Sequence, residues 1–491
     1  MTEEQENLQL PKGWMWTKLG KISEIILGQS PPSSTYNENE EGLPFYQGKL
    51  EFGKIYPIPR KWCTVPKKIA EKGDALISVR APVGPTNICP EKSCIGRGLA
   101  AIRGLGGVET LFILYVMRTF ENVIAGKGTG TTFNAITGDQ LKGVEIPLAP
   151  LPEQRRIVAK VEELFTNLDA GVESLKKVKT QLKRYRQAVL KYAFEGKLTE
   201  EWRKTRKDQI EPATKLLERI KHERKHKLGI KYNELPLIAT QKLPGLPESW
   251  AWTRLGDICD SVDMVNPRIE PNKEFTYLEI ASIDNKLQRI TRPIMYVGKD
   301  APSRARQLVK GGDILFSTVR TYLRNIAVVD EIYDGQIAST GFCVIRPCNT
   351  INDKLIFYIV QTDDFLNPLN QIQRGTSYPA VRDSDVFVQI IPLPPLSEQQ
   401  KIVEEIESRI SMADEVTKVA ETISRQAERL RQSILKAAFE GKLVPQDPSD
   451  EPADRLLERI KEERKKSKGE KDTNRRRMNK SKQLELSTYV K

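Results

Sequence analysis

After Pro152 the chain runs to about Gly196 without another proline, and apolar side chains recur at Ile157, Val161, Leu164, Leu168, Leu175, Val178, Leu182, Tyr185 and Val189. The steps alternate between four and three residues, interrupted at Gly171, which is the pattern of a heptad seam along one helix. Adding 245 to these positions reaches Ile402, Ile406, Arg409, Ala413, Val416, Ala420, Ile423, Ala427, Leu430 and Ile434, so a second helix carries the same register. "LPEQ" and "LSEQ" place Pro152 or Ser397 at the helix entrance with an acid in the first turn, and "FEGKL" puts a glycine at each exit. At ~1.5 Å per residue, about 44 residues make a rod of ~66 Å, and a rod of that length needs a partner. Antiparallel pairing of the two copies within one chain is preferred over a dimerisation rod, because the intervening segment returns the chain to the far end. Ala413, Ala420 and Ala427, facing Leu168, Leu175 and Leu182 or their neighbours, would allow close approach.

Before each predicted rod the pattern changes to short β-type runs among Gly, Pro and Asn. "ALISV" and "VEIPL" fall within residues 10–150; "DILFSTV", "FCVIRP" and "VQIIPL" fall within 246–395. Each globule also carries one helical stretch, "VETLFILYVMRTFENVI" or "NDKLIFYIVQTDDFL". The expected fold is α/β mixed: two similar domains with a curved, partly antiparallel sheet, separated by two long antiparallel coiled-coil helices. "LPKGWMWTKLGKIS" returns as "LPESWAWTRLGDIC", and "KGDALISVR" as "GGDILFSTVR". "RYRQAVLKYAFEGKL" returns as "RLRQSILKAAFEGKL", and "EPATKLLERIKHERK" as "EPADRLLERIKEERK". A period of about 240 residues is too long for a solenoid and predicts a pseudo-two-fold internal repeat. The predicted boundaries are a first globule at 1–150, a long helix at 151–198 and a charged helical connector at 199–245. A second globule at 246–395, a second long helix at 396–443 and a charged C-terminal segment at 444–491 complete the chain.

Charge changes the picture by suggesting a partner. Lys and Arg number 78 against 65 Asp and Glu, a formal net charge of +13, which favours a polyanion such as nucleic acid. The unlike loops of the globules, 28–53 and 261–290, are rich in side chains that reach base edges and phosphates. Gln29, Ser30, Ser33, Tyr36, Gln47 and Lys49 are the candidates in the first loop, and Ser282, Asn285 and Lys286 in the second. Arg80 and Arg320 close matched strand-like runs, with Tyr322 and Arg324 just beyond. Lys127 and Arg374 precede paired "GT" steps, which bring in Thr129, Thr376 and Tyr378, and "PSRARQ" contributes Arg304 and Arg306. Shared parts would set the fold, and unlike loops would set the target of each globule.

Little points to catalysis. No GxxxxGK[ST] loop is present, and "GKGTGTT" follows a helical pattern, so it is read as a turn. Neither Pro-Pro pair has the flanking Asn or Asp and aromatic that adenine amino-methyltransferases use. The six cysteines form no CxxC pair, and His222 and His226 stand in a solvated charged helix, so no metal site is expected. The N-terminus is acidic and polar, and the longest apolar runs, "LFILYVM" and "LIFYIV", fall short of the roughly 20 residues a bilayer demands. The expectation is a soluble cytoplasmic protein without a membrane partner.

The order globule, rod, globule, rod resembles one family: the DNA-specificity subunits of type I restriction-modification systems. "IPLAPLPEQRRIV" and "IPLPPLSEQQKIV" at the junctions carry the likeness, with "FEGKL" at both rod ends and "LPKGWMWTKLG" and "LPESWAWTRLG" opening the halves. It covers about residues 10–465. The resemblance implies a non-catalytic subunit whose two target recognition domains each read half of an interrupted, asymmetric DNA site. It implies two methyltransferase subunits, which carry S-adenosylmethionine, on the repeated helical regions, and restriction subunits that use ATP and Mg. No cofactor is expected in this chain. A duplicated coiled-coil adaptor that binds only proteins, and a self-contained methyltransferase with unusual motifs, are the rival readings. The basic tail "KKSKGEKDTNRRRMNKSKQ" is expected to be dispensable for sequence preference.

Overall fold

The computed structural model describes residues 9–128, 135–229 and 236–466. The predicted Thr129 contact and the basic tail after 466 lie outside these residues, as does part of the predicted connector. The chain divides into two compact units, residues 1–175 with 422–491 and residues 176–421. The helices used below are α1 (Thr110–Thr119), α2 (Leu151–Phe194), α3 (Ala213–Leu228), α4 (Asp353–Ile359) and α5 (Leu396–Phe439). The long helices α2 and α5 thus contribute to both units.

In the first unit, β1 (Met15–Lys18) pairs antiparallel with β11 (Glu145–Leu148), which delivers the chain to α2. A four-stranded antiparallel sheet runs β2 (Ser23–Leu27), β10 (Leu99–Gly104), β7 (Ala75–Ser78), β8 (Thr86–Ile88). A second, mixed sheet has the order β3 (Tyr36–Asn37), β5 (Lys61–Cys63), β4 (Leu43–Tyr46), β9 (Ser93–Ile95), β6 (Ile69–Ala70), with β4 and β9 parallel. α1 buries Phe112 to Met117 against the four-stranded sheet.

The second unit repeats this plan. β12 (Ala251–Arg254) pairs with β23 (Ile390–Leu393). The antiparallel sheet is β13 (Cys259–Asp260), β22 (Phe342–Pro347), β19 (Ile314–Ser317), β20 (Ile326–Val328). The mixed sheet is β17 (Ile294–Val297), β14 (Glu274–Leu278), β21 (Ile337–Ser339), β18 (Ala305–Leu308), again with one parallel pair, β14 and β21. The hairpin β15 (Ile283–Asp284) and β16 (Arg289–Ile290) is particular to this half, as β3 is to the other. Strand β14 therefore occupies the place of β4, so the apparently unrelated segments 28–53 and 261–290 share a scaffold strand. Pairing topology, not residue identity, reveals it.

The repeated sequence signatures are junction contacts. The Trp14 indole donates to Glu153 Oε2 at 2.9 Å, and the Trp250 indole to Glu398 Oε2 at 2.8 Å. Gln154 and Gln399 each donate to the carbonyl five residues back and accept the backbone N–H of Glu109 or Asn352. Each "EQ" thus ties the first turn of a rod to the start of a globule and to the helix α1 or α4. Arg103 grips Asp74 with two 2.8 Å bonds, and Arg346 grips Asp313 at 2.9 and 2.7 Å, joining the same two strands in each half.

The "EPA" segments also dock alike. Ala213 N donates to Ser249 O, and Ala453 N to Gly13 O. α3 buries Ala213, Leu216 and Ile220 in the second unit, and helical residues 453–466 bury Ala453, Leu456, Leu457 and Ile460 in the first. At ~1.5–3 kcal/mol per fully buried aliphatic side chain, these stripes are integral to the cores.

Within each unit the rods run antiparallel. In the first, Arg431 pairs with Asp169 and lies 4.9 Å from the Phe165 ring, while Ile157 and Val161 share a core with Ile434 and Phe439. In the second, Arg186 pairs with Asp414 and Lys179 with Glu421, and Val189 shares a core with Ile402 and Ile406. Leu164, Leu168, Leu175, Val178 and Leu182 are half-buried. Ala413, Ala420 and Ala427 are buried, at 2, 2 and 8 % exposure.

The predicted register of α5 needs one correction: Val416, Ile423 and Leu430 stand 46, 43 and 49 % exposed. The partly covered positions next to the alanine row are instead Thr417, Ser424 and Arg431. A Leu-rich partner opposite leaves little room for two further apolar rows, and the Arg431 stem covers apolar surface while its head meets Asp169.

Candidate nucleic-acid interface

Two loops meet at one end of the mixed sheet in the first unit. The chain leaves β4 through Gln47 and Gly48 into a short turn, Lys49–Glu51, whose Glu51 carboxylate accepts the Gln47 and Gly48 amides. The second loop joins β7 to β8 through residues 79–85. Gln47, Gly48, Lys49, Leu50, Glu51, Ala81 and Pro82 line an open cleft of about 470 Å³. Glycines allow this crowding: a Cβ on Gly98 would stand 2.3 Å from Gln47 O, and one on Gly28 2.1 Å from Gly96 O. Gln29 is thereby held on the same rim, its amide donating to Ile95 O.

The second unit builds the equivalent pair. The turn Ile280–Ser282 follows β14 and is closed by the Ser282 hydroxyl, which accepts the Glu279 amide. The loop from β19 to β20 spans residues 318–325, and Gly341, in the place of Gly98, lets Ile280 approach. Asn285 Nδ2 donates to Leu323 O at 3.1 Å, fastening the β15–β16 hairpin to that loop. Arg320 and Arg324 both adopt positive φ, 51° and 54°, and bracket Thr321–Leu323, so that Tyr322 and Leu323 form an exposed apex. Thr321 is locked from below by Asn370 and Gln373.

The predicted site residues divide accordingly. Gln29, Gln47 and Lys49 come together in the first unit, and Asn285, Lys286, Arg320, Tyr322 and Arg324 in the second. Thr376 and Tyr378 are exposed at the tip of a hairpin closed by mutual backbone bonds of Arg374 and Ala380. Other candidates have structural partners. Ser30 accepts the Arg97 amide, Tyr36 donates to Pro31 O and stacks on Phe45, and Ser282 is buried. Arg306 bonds Ser303 O, Arg374 pairs with Asp385, and Arg324 pairs with Asp363. Ser33, Lys127 and Arg304 are exposed and are not among the residues that line the cleft.

One pairing made from the sequence is displaced. Arg80 bridges Ala135, whereas in the second unit it is Val319, not Arg320, that bridges Ala380, which also bridges Arg374. The Ser78 hydroxyl donates to Arg80 O, and the Ser317 hydroxyl to Val319 O. Arg80 therefore matches Val319, and Arg320 matches Ala81, because the second loop is one residue longer. Arg97, exposed between Gly96 and Gly98 and beside the rim, escaped notice; the one available signal was its place between two glycines.

Titration contributes little at these loops. Tyr36 is pushed above its usual range chiefly by burial, with Cys63 and Cys94 adding to the effect. All six cysteines are free and buried, and among the described residues no group of three or more His, Cys, Asp or Glu is placed to hold a metal ion. No helix among those residues is long and apolar enough to cross a membrane. The arrangement suits adaptable polar contacts to an extended polyanion rather than bond-making chemistry.

Comparison with known proteins agrees. The family model for the type I restriction modification DNA specificity domain matches residues 11–184 and again 247–422. The putative type I restriction enzyme MjaX specificity subunit of Methanocaldococcus jannaschii is 42% identical over 193 residues, 39% of this chain and 44% of that one. The type I restriction enzyme EcoDI specificity subunit of Escherichia coli is 24% identical over 477 residues, 94% of this chain and 98% of that one. The crystal structure of the HsdS subunit from Thermoanaerobacter tengcongensis shares the fold, with a TM-score of 0.54 and 20% identity over 89% of this chain and 99% of that one.

Proposed function

This chain belongs to the type I restriction-modification DNA specificity family, and from that premise we propose that each globule reads one half of an interrupted, asymmetric duplex site. The chain is the DNA sequence specificity subunit of a type I restriction-modification enzyme and part of that complex, a role that is non-catalytic in the family. The observation that carries the two-reader proposal is the repeated loop pair. Gln47–Glu51 with 79–85, and Glu279–Ser282 with 318–325, leave equivalent strands of one scaffold but carry unlike side chains. A scaffold held constant under two different sets of tips is what two half-sites of different sequence require. Phosphate contacts to Lys and Arg would supply affinity, and base-edge contacts discrimination.

The rods would recruit two methyltransferase subunits, which bring S-adenosylmethionine and flip the target adenine. Restriction subunits using ATP and Mg would complete the assembly. The residues proposed to meet DNA are the rim side chains: Gln29, Gln47 and Lys49 in the first globule, Asn285, Lys286, Arg320 and Tyr322 in the second. The domain boundaries follow the same logic, with readers at 1–150 and 246–395.

Equilibrium binding of the full chain to duplex DNA, with and without the methyltransferase subunit, tests the proposal. It expects affinity that depends on sequence and falls with a negative slope of log K against log salt. Binding that ignores sequence and salt in both cases would support a protein-only adaptor instead.

A further inference from the structure

Resting on the proposal that the second globule reads duplex DNA, we infer that Arg320 reads a guanine of that globule's half-site and that Tyr378 is its positioning residue. Several arginines near these loops are consumed by carboxylates: Arg324 by Asp363, Arg374 by Asp385 and Arg346 by Asp313. Among the described residues no carboxylate pairs with Arg320. Its guanidinium carbon lies 4.8 Å from the centroid of the Tyr378 ring, and Nη2 donates to Ser377 O at 3.0 Å. Its backbone amide donates to Pro379 O at 2.7 Å, so backbone and side chain grip the same hairpin. Nε is buried and has no acceptor among the described residues. The residue is also held at a positive φ, which side-chain-bearing residues adopt rarely.

These constraints fix the plane of a fork that would otherwise sweep freely, and among the described residues they leave its Nη1 end without a hydrogen-bond partner. Tyr378 is itself 71 % exposed, so the stack stands at the surface. A flat, fixed pair of donors with a full positive charge fits the O6 and N7 acceptors on the major-groove edge of guanine, the commonest specific arginine contact. A phosphate would need the charge but not the plane. The first globule has Ala81 in the equivalent place, so the contact belongs to one half-site only.

The test uses the full chain with its methyltransferase subunit in a host whose adenine methylation is mapped by long-read sequencing. Arg320→Lys keeps the charge and loses the fork. The expected result is a motif relaxed at one G·C pair of the half-site read by the second globule, with the other half-site unchanged. Affinity for the matched duplex should fall about 5- to 150-fold, the worth of one bidentate pair. Tyr378→Ala should reproduce part of this loss, and Tyr378→Phe, which keeps the stack, should restore the original motif.

A second arm alters the DNA. The unaltered complex should bind less tightly when 7-deazaguanine replaces that one guanine, and Arg320→Ala, which has no donor to offer N7, should be indifferent to the replacement. A half-site without a G·C pair, an unchanged motif, or an equal loss on every sequence with a reduced salt slope would overturn the assignment while leaving the two-reader proposal standing. Loss of all sequence dependence in the unaltered complex would sink both.

Discussion

Glu398 has no exposed surface, and three donors converge on it: the Trp250 indole, the Thr199 hydroxyl and the Arg203 guanidinium. Among the described residues its counterpart Glu153 accepts one hydrogen bond, from the Trp14 indole, and its buried Oε1 has no partner. Removing the charge should therefore cost unequally. Glu398→Gln strands Arg203 and is expected to lower stability by about 3 kcal/mol, whereas Glu153→Gln should stay within about 1 kcal/mol, both measured by thermal unfolding of the full chain. The two also differ in pH response. Burial pushes the Glu153 carboxyl above its ordinary value of 4.5, outweighing the Trp14 bond and the nearby Arg156. The folded state then holds a proton that the unfolded state has already released. Stability from this site is full below the ordinary value and is lost as pH rises through the raised one. Glu153→Gln should flatten that slope in unfolding curves taken across the acid range; an unchanged slope would assign it elsewhere. Both acids were visible in the repeated "EQ", but their partners lie 139 and 148 residues away, beyond any local periodicity.

At the scale of elements, the heptad pattern foretold both rods, because the proline-free interval and the glycine exits are local signals. It misplaced one edge of α5. Alanines 413, 420 and 427 belong to two overlapping heptads, one completed by Val416, Ile423 and Leu430, the other by Thr417, Ser424 and Arg431. Hydrophobicity favours the first, and packing uses the second. Val416→Lys should therefore change stability by no more than about 0.5 kcal/mol, as a surface substitution does. Ala413→Leu or Ala420→Leu, overfilling a closed seam, should cost about 1–3 kcal/mol. Denaturant midpoints of the three variants decide the register. The sheets were foreseen only in kind. Runs of two to six residues carry too little alternation to show that β4 pairs parallel with β9, or that β14 does the same with β21. The candidate site was legible as a set of loops, since polar composition is local. The one-residue offset that separates Arg80 from Arg320 is a matter of strand pairing and was not legible.

For the whole molecule, the duplication is the dominant fact, and it was readable because repeats compare a sequence with itself. Division of labour between unlike tips follows from it. Residues that build the junctions recur as Trp, Glu and Gln, while those at the rims, such as Ala81 against Arg320, do not. The most direct measurement is therefore an exchange. Residues 246–395 are replaced by the matching segment of a relative with a different target, and methylated adenines are mapped by long-read sequencing in a host that also makes the methyltransferase subunit. The account predicts a motif in which one half changes to the donor's and the other half is retained. A motif altered in both halves, or in neither, would contradict it.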